Sequence, residues 1–225
     1  MATAVRHARD EAAARYPNLV EDIENAPKVR IADGKYTFRA FSFGEKGTLM
    51  KAELGREIDK GLFEKVRAAK AEFGYIVSPE PAGHVWALSL AGRLKVSLCV
   101  AARSLESLER IALINSAFAQ AHGKRERKKR QYVDFVPQKS GYGESTLHVP
   151  RPKKGDRVII VDDVVSSGGT ASALADYLEA AGAKVVAIFC IVTKGDGHKE
   201  LEKRGIPVRS LLKLTKSGEV AGLGD

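Results

Sequence analysis

Val158-Ile-Ile-Val-Asp-Asp-Val-Val-Ser-Ser-Gly-Gly-Thr170 decides how this chain folds. Val158 to Val161 is an unbroken β-branched run, the pattern of a strand buried on both faces of a parallel sheet. Such sheets bind ligands at their carboxyl edge, so the residues after Val161 should face one. Ser166, Ser167, Gly168, Gly169 and Thr170 turn into a helix whose apolar positions Ala171, Leu174, Ala175 and Leu178 recur at helical spacing. The free amides of that helix start, with three hydroxyls, make a cradle for one phosphate dianion. Glycines let the backbone approach the phosphate oxygens. Asp162 and Asp163 stand just before the cradle, where two ionised acids accept hydrogen bonds from a pair of vicinal hydroxyls. A plainer reading has Asp163 capping the next element and Asp162 merely solvated. The coincidence of strand, acid pair and Gly-Gly-Thr helix start favours a site for a phosphorylated sugar.

Outward from this run, strands and helices alternate. Leu54, Ile58, Leu62 and Val66 recur every four residues and place one apolar stripe on a helix over 53–70. Tyr75-Ile-Val77 is a strand, Ser78-Pro-Glu-Pro-Ala-Gly83 a loop, 84–94 a helix and 96–102 the next strand. Further units follow at 158–182 and 184–192, with a last strand from Val208 to Leu214. The alternation argues for a doubly wound, mostly parallel α/β sheet with right-handed crossovers. It stops between Arg103 and Val149. There Leu105, Leu108, Ile111 and Ala112 fit one helix face, and the basic tract Lys124-Arg-Glu-Arg-Lys-Lys-Arg130 follows. Long insertions beside a ligand edge are usually functional. The N-terminal region carries an amphipathic stretch from Ala13 to Ile23, and the end of the chain, from Gly218, offers little to pack and is expected to fray.

The 225 residues can bury one substantial core. Cys99 and Cys190 lie in apolar runs and read as core packing in a reducing compartment. No apolar stretch is long enough to cross a membrane and the start lacks a secretory h-region, so a cytoplasmic location is expected. Charged residues make up 29% while amides are scarce, the usage that heat-adapted proteins favour. The net charge of +9 predicts anionic partners. Because the basic tract lacks interleaved aromatic residues, polyphosphate is weighed above nucleic acid, and a solvated loop is the bland alternative.

The segment 158–170 resembles the phosphoribosyl pyrophosphate motif of type I phosphoribosyltransferases, and Gln138-Lys-Ser-Gly-Tyr-Gly143 is similar to the Gln-x-Thr-Gly-Tyr-Ser segment of archaeal hypoxanthine and adenine phosphoribosyltransferases. The resemblance covers about residues 50–103 and 138–197, while 104–137 is longer than the family pattern. It implies an N-terminal extension and hood over 1–50, a core over 51–215 with a flexible lid insertion at 104–149, and a tail over 216–225. By the same resemblance Ser166 to Thr170 hold the sugar 5-phosphate. Asp162 and Asp163 hold the ribose hydroxyls, act in catalysis and assist Mg²⁺ through water. Glu80, Pro81, Ala82 and Gly83 bind pyrophosphate around a Glu80–Pro81 bond expected to be cis. Ala82 stands where several adenine enzymes carry arginine, so Arg103 and the basic tract become the candidates for the missing charge. Ser140, Gly141 and Tyr142 form the lid; Gly141 replaces an acid of the common adenine enzymes, with Glu144 as its candidate substitute. Phe38 and Phe41 stack on the base, and Lys194 donates to a 6-oxo group. The implied activity is transfer of 5-phosphoribosyl from phosphoribosyl pyrophosphate to a purine, with adenine slightly favoured, by a homodimer serving purine salvage. Hypoxanthine or guanine is the alternative base. Orotate transfer and a phosphoribosyl-pyrophosphate-sensing regulator are the further alternatives.

Overall fold

A computed structural model describes residues 2–31, 36–45, 48–103, 117, 133–140 and 143–225. The helix expected on Leu105 to Ala112, the basic tract, Gly141 and Tyr142 lie outside them. The N-terminal part consists of helices α1 (Ala2–Arg15) and α2 (Pro17–Asn25) and the antiparallel pair β1 (Lys28–Ile31) and β2 (Tyr36–Arg39). Then come α3 (Ala52–Ala68), β3 (Tyr75–Pro79), α4 (Gly83–Leu94) and β4 (Ser97–Ala101). An antiparallel hairpin of β5 (Val133–Ser140) and β6 (Gly143–Pro150) precedes β7 (Arg157–Val165) and α5 (Gly169–Ala180). The chain finishes with β8 (Lys184–Lys194), α6 (His198–Lys203), β9 (Val208–Leu214) and β10 (Val220–Leu223).

The six-stranded sheet has the order β10-β9-β8-β7-β3-β4. Its five inner and β4-side strands run parallel, and β10 is antiparallel. Val158 and Ile160 pack with Leu174 and Leu178 of α5, whereas Ile159 and Val161 pack on the other face with Val66 of α3 and Leu90 of α4. This is the two-sided burial that the β-branched run predicts. All four residues of the α3 stripe are buried. Connections run one way from β3 to β4 and the other way from β7 through β8 to β9, so strand order reverses between β3 and β7. A crevice belongs at that reversal, beyond the carboxyl ends of the strands.

Three regions differ from the sequence reading. The single amphipathic stretch Ala13–Ile23 is divided between α1 and α2, because Pro17 takes the first helical position and cannot continue the preceding helix. The described part of the insertion is a hairpin anchored in the core: Val136, Leu147 and Val149 are buried with Ala171 and Leu174 of α5. Tyr177 donates to Asp134 at 2.7 Å, and Arg151 pairs with the same carboxylate at 2.8 Å. The expectation of a frayed end is corrected. Val220 is buried, the Gly224 amide donates to the Leu211 carbonyl at 2.8 Å, and Lys65 Nζ donates to the Gly224 carbonyl at 2.9 Å. The Lys65 partner lies 159 residues away in sequence and the strand that pairs with β10 is its neighbour β9, neither of which the composition of the last residues alone reveals. Among the described residues no helix is long and apolar enough to cross a membrane.

Candidate active site

A cavity of about 380 Å³ opens at the reversal point, within the usual size range of small-molecule sites. One wall is the turn Ser166 to Thr170 with Asp162 and Asp163 before it; facing it are Glu80, Pro81, Ala82 and Arg103. Phe38, Arg39 and Phe41 of the hood and Lys194 at the end of β8 line the cavity as well. Gly168 adopts φ 78°, a left-handed conformation suited to glycine, and its neighbour Gly169 opens α5.

The cavity's geometry follows from tight packing behind it. Ser78 Oγ donates to the Val161 carbonyl at 2.6 Å, stapling the ends of β3 and β7 at the crevice. The Glu80–Pro81 bond is cis. Gly83 lies behind the wall; a side-chain carbon there would come within 2.8 Å of Asp162 Oδ1. Asp163 leans the other way, so that a carbon on Gly44 would meet its Oδ2 at 2.7 Å. The Asp163 amide donates to Asp162 Oδ1 at 2.9 Å. Burial pushes the Asp162 carboxyl well above the ordinary range, and the charge of Asp163 adds to the effect. Burial also raises Asp163. Arg103 opposes both shifts. Its amide donates to Glu80 Oε2 at 3.0 Å, while its Nε is buried with no hydrogen-bond partner among the described residues. Burial lowers the Lys194 ammonium, with Arg39 adding to it.

Residues 50–220 match the Phosphoribosyl transferase domain family. The chain belongs to that family. It is 30% identical over 203 residues to a hypoxanthine/guanine phosphoribosyltransferase of Ferroglobus placidus, covering 88% of this chain and 92% of the relative. It is 44% identical over 87 residues to the like-named protein of Methanotorris igneus, a match spanning 38% of this chain and 48% of that protein. Among solved structures, an adenine phosphoribosyltransferase of Rhodothermus marinus aligns with a TM-score of 0.62 at 22% identity, covering 90% of this chain and 99% of its own. That likeness concerns the fold, and it agrees with the type I phosphoribosyltransferase architecture expected from the sequence.

In this phosphoribosyltransferase the cradle, the acid pair, Glu80, Pro81, Ala82, Arg103, Phe38, Phe41 and Lys194 are brought to one cavity. Glu144 is not brought there: it is exposed on β6 and pairs with Lys139 at 3.3 Å. Ser140 ends β5, and the lid residues Gly141 and Tyr142 lie outside the described residues. The sequence reading missed several supports. Arg39 Nη1 donates to the carbonyls of Ile23, Glu24 and Ala26 at the end of α2, fastening the hood to the cavity wall. Asp22 holds Ser42 through its amide at 3.1 Å and its hydroxyl at 2.5 Å, and Trp86 Nε1 donates to the Phe43 carbonyl at 3.1 Å. Gly197 presses on the cradle from below, since a side-chain carbon there would lie 2.0 Å from the Ser166 carbonyl oxygen. Gly169 also needs a different explanation. The atom that crowds it is the Lys139 carbonyl oxygen, 1.9 Å from where a side-chain carbon would sit, so the close approach is by β5.

Proposed function

We propose that this chain is a purine phosphoribosyltransferase. It transfers the 5-phosphoribosyl group of phosphoribosyl pyrophosphate to a purine ring nitrogen, giving a nucleoside 5′-monophosphate and pyrophosphate. The carrying observation is that a single cavity gathers an anion cradle, two acids, a second turn beside Arg103, and aromatic faces beside Lys194. A sugar whose 5-phosphate sits on Ser166 to Thr170 and whose hydroxyls meet Asp162 and Asp163 exposes its C1 between the two loops. Loss of pyrophosphate leaves an oxocarbenium-like centre, so the site must stabilise the departing charge and hold the base in line. Arg103 lines the cavity beside Glu80, and this reading gives it the departing charge. Arg103→Ala should raise KM for the sugar donor about 10- to 100-fold, the scale of one or two charge-assisted hydrogen bonds, and leave KM for the base nearly unchanged. Steady-state kinetics with each substrate varied checks this. Glu144 takes no part in the scheme.

The acid pair suits Mg²⁺, because a divalent cation offsets the cost of burying two adjacent carboxylates, a cost that shows in the raised Asp162 and Asp163 carboxyls. Asp162 and Asp163 would hold the ion through water, and the remaining oxygen ligands would come from water and substrate. Bound there, the ion supplies neutralising charge to the pyrophosphate leaving group. Chelation is expected to abolish transfer while leaving calorimetric binding of ribose 5-phosphate intact, since the cradle needs no metal.

For the base, the general look of the sequence leans to adenine, but the hood end of the cavity supports a 6-oxopurine. Arg39 and Lys194 are both cationic donors, and O6 of hypoxanthine or guanine accepts where the 6-amino group of adenine donates. The name carried by the relative matched over 92% of its length points the same way. The same cations suit the carboxylate of orotate, which is the rival. Labelled sugar donor offered with adenine, hypoxanthine, guanine, xanthine and orotate decides among them. Inosinate or guanylate as the main product is expected, adenylate or orotidylate alone would overturn the base assignment, and no product with any base would end the proposal. A homodimer belongs to this reading too, supported by Val85 and Leu88, which are 52% and 64% exposed on the outer face of α4. A sedimentation mass of one 24.3 kDa chain would remove it.

A further inference from the structure

We propose that Gln138 is a positioning residue for the sugar 5-phosphate, whose side-chain amide turns over to aim the Thr170 hydroxyl at the anion. The inference rests on the reading above that Ser166 to Thr170 hold that phosphate. Gln138 lies on β5 and is only 4% exposed. The Thr170 hydroxyl donates to Gln138 Oε1 at 2.8 Å, and Gln138 Nε2 donates to the Ser145 hydroxyl oxygen across the hairpin. A threonine hydroxyl has one proton. While that proton points at Gln138, Thr170 shows the cavity only lone pairs, the wrong polarity for a phosphate dianion.

The amide resolves the conflict. Half a turn about its terminal bond exchanges Oε1 and Nε2, so that Nε2 donates to the Thr170 oxygen and Oε1 accepts from the Ser145 hydroxyl. The Thr170 proton is then free for the phosphate. Three polar groups are satisfied in both arrangements, which matters because an unmet buried amide atom costs about 1–3 kcal/mol. Phosphate selects the second arrangement, since hydrogen bonds aligned in one direction reinforce each other. Only a side chain with a donor and an acceptor at one tip can do this. Glutamate accepts but does not donate when ionised, and leucine does neither. The hairpin is held at the right distance by the Lys139 carbonyl lying against Gly169 and by Val136, Leu147 and Val149 buried against α5.

Calorimetric binding of ribose 5-phosphate tests the proposal. Expected losses are about tenfold for Gln138→Leu and about 100-fold for Gln138→Glu, which removes the donor and adds a repelling charge. Thr170→Val should cost about tenfold, and the Gln138→Leu/Thr170→Val double variant should be no weaker than Thr170→Val alone, because the amide acts only through that hydroxyl. In kinetics the change should fall on KM for the sugar donor, with kcat at saturating donor and KM for the base held within about twofold. Additive losses, or unchanged binding by Gln138→Glu, would overturn the assignment. If the Gln138 variants do not fold, Ser145→Ala carries the test: about threefold weaker binding supports the relay and unchanged binding overturns it. Failure of the unaltered protein to bind ribose 5-phosphate would instead sink the phosphate reading and this inference with it.

Discussion

Asp162→Asn should reduce kcat/KM for the sugar donor at least about 100-fold while making the metal-free protein more heat-resistant. The loss follows from removing a charged acceptor for a sugar hydroxyl and half of the proposed magnesium anchor, each worth about 1.5–3 kcal/mol. The gain has an independent cause. Asp162 is 7% exposed, its carboxyl is held well above the ordinary range by burial and by Asp163, and asparagine can still accept the Asp163 amide at the same oxygen. A carboxyl whose value is higher in the folded than in the unfolded chain costs stability as pH rises from the ordinary carboxylate range through its folded value, and the cost persists above it. Relief of roughly 1 kcal/mol corresponds to about 2–4 °C in a chain of this size. Thermal melts in chelator should therefore show variant and parent coinciding near the bottom of the carboxylate range and separating toward neutral pH. A variant that melts below its parent at pH 7 would show that the acid contributes to the fold.

Gly169→Ala should be among the most disruptive single-methyl additions in the molecule. Alanine is the better helix former at an ordinary helical position, so propensity alone predicts a small gain. The structure predicts the reverse, because the new carbon would lie 1.9 Å from the Lys139 carbonyl oxygen, and that backbone cannot move without lifting β5 off α5. Overpacking of this kind costs about 1–3 kcal/mol or more, so a fall of roughly 2–12 °C is expected. Affinity for ribose 5-phosphate should fall with it, since the hairpin and the cradle share the Gln138–Thr170 bond. A melt within 1 °C of the parent would mean that the hairpin yields freely.

What was legible in the sequence was what repeats or runs locally. The β-branched run from Val158 to Val161 gave away its burial on both faces, the four-residue spacing from Leu54 to Val66 gave away α3, and the acid pair followed by Gly-Gly-Thr marked a turn that lines the cavity. The residues missed owe their roles to partners distant in the chain. Gln138 was noticed only as part of a motif, and its contact with Thr170 lies 32 residues away. Arg39 drew no reading from the sequence, since its guanidinium acts on the carbonyls at the end of α2, 13 to 16 residues earlier. The hairpin was hidden because its few buried apolar residues, Val136, Leu147 and Val149, do not form a continuous alternating run, and β10 because a four-residue edge strand has almost no pattern of its own.

Trp86 is the single tryptophan of the chain, nearly enclosed, with its indole N–H committed to the Phe43 carbonyl of the hood. Phe41 and Phe43 lie in parallel with ring centres 5.0 Å apart, and Phe41 faces the cavity. The protein thus carries one indole fluorophore, separable from its tyrosines by excitation at long wavelength, wired to the wall on which a nucleobase would rest. Its emission gives a label-free optical signal for following how that wall responds as ligands are titrated in.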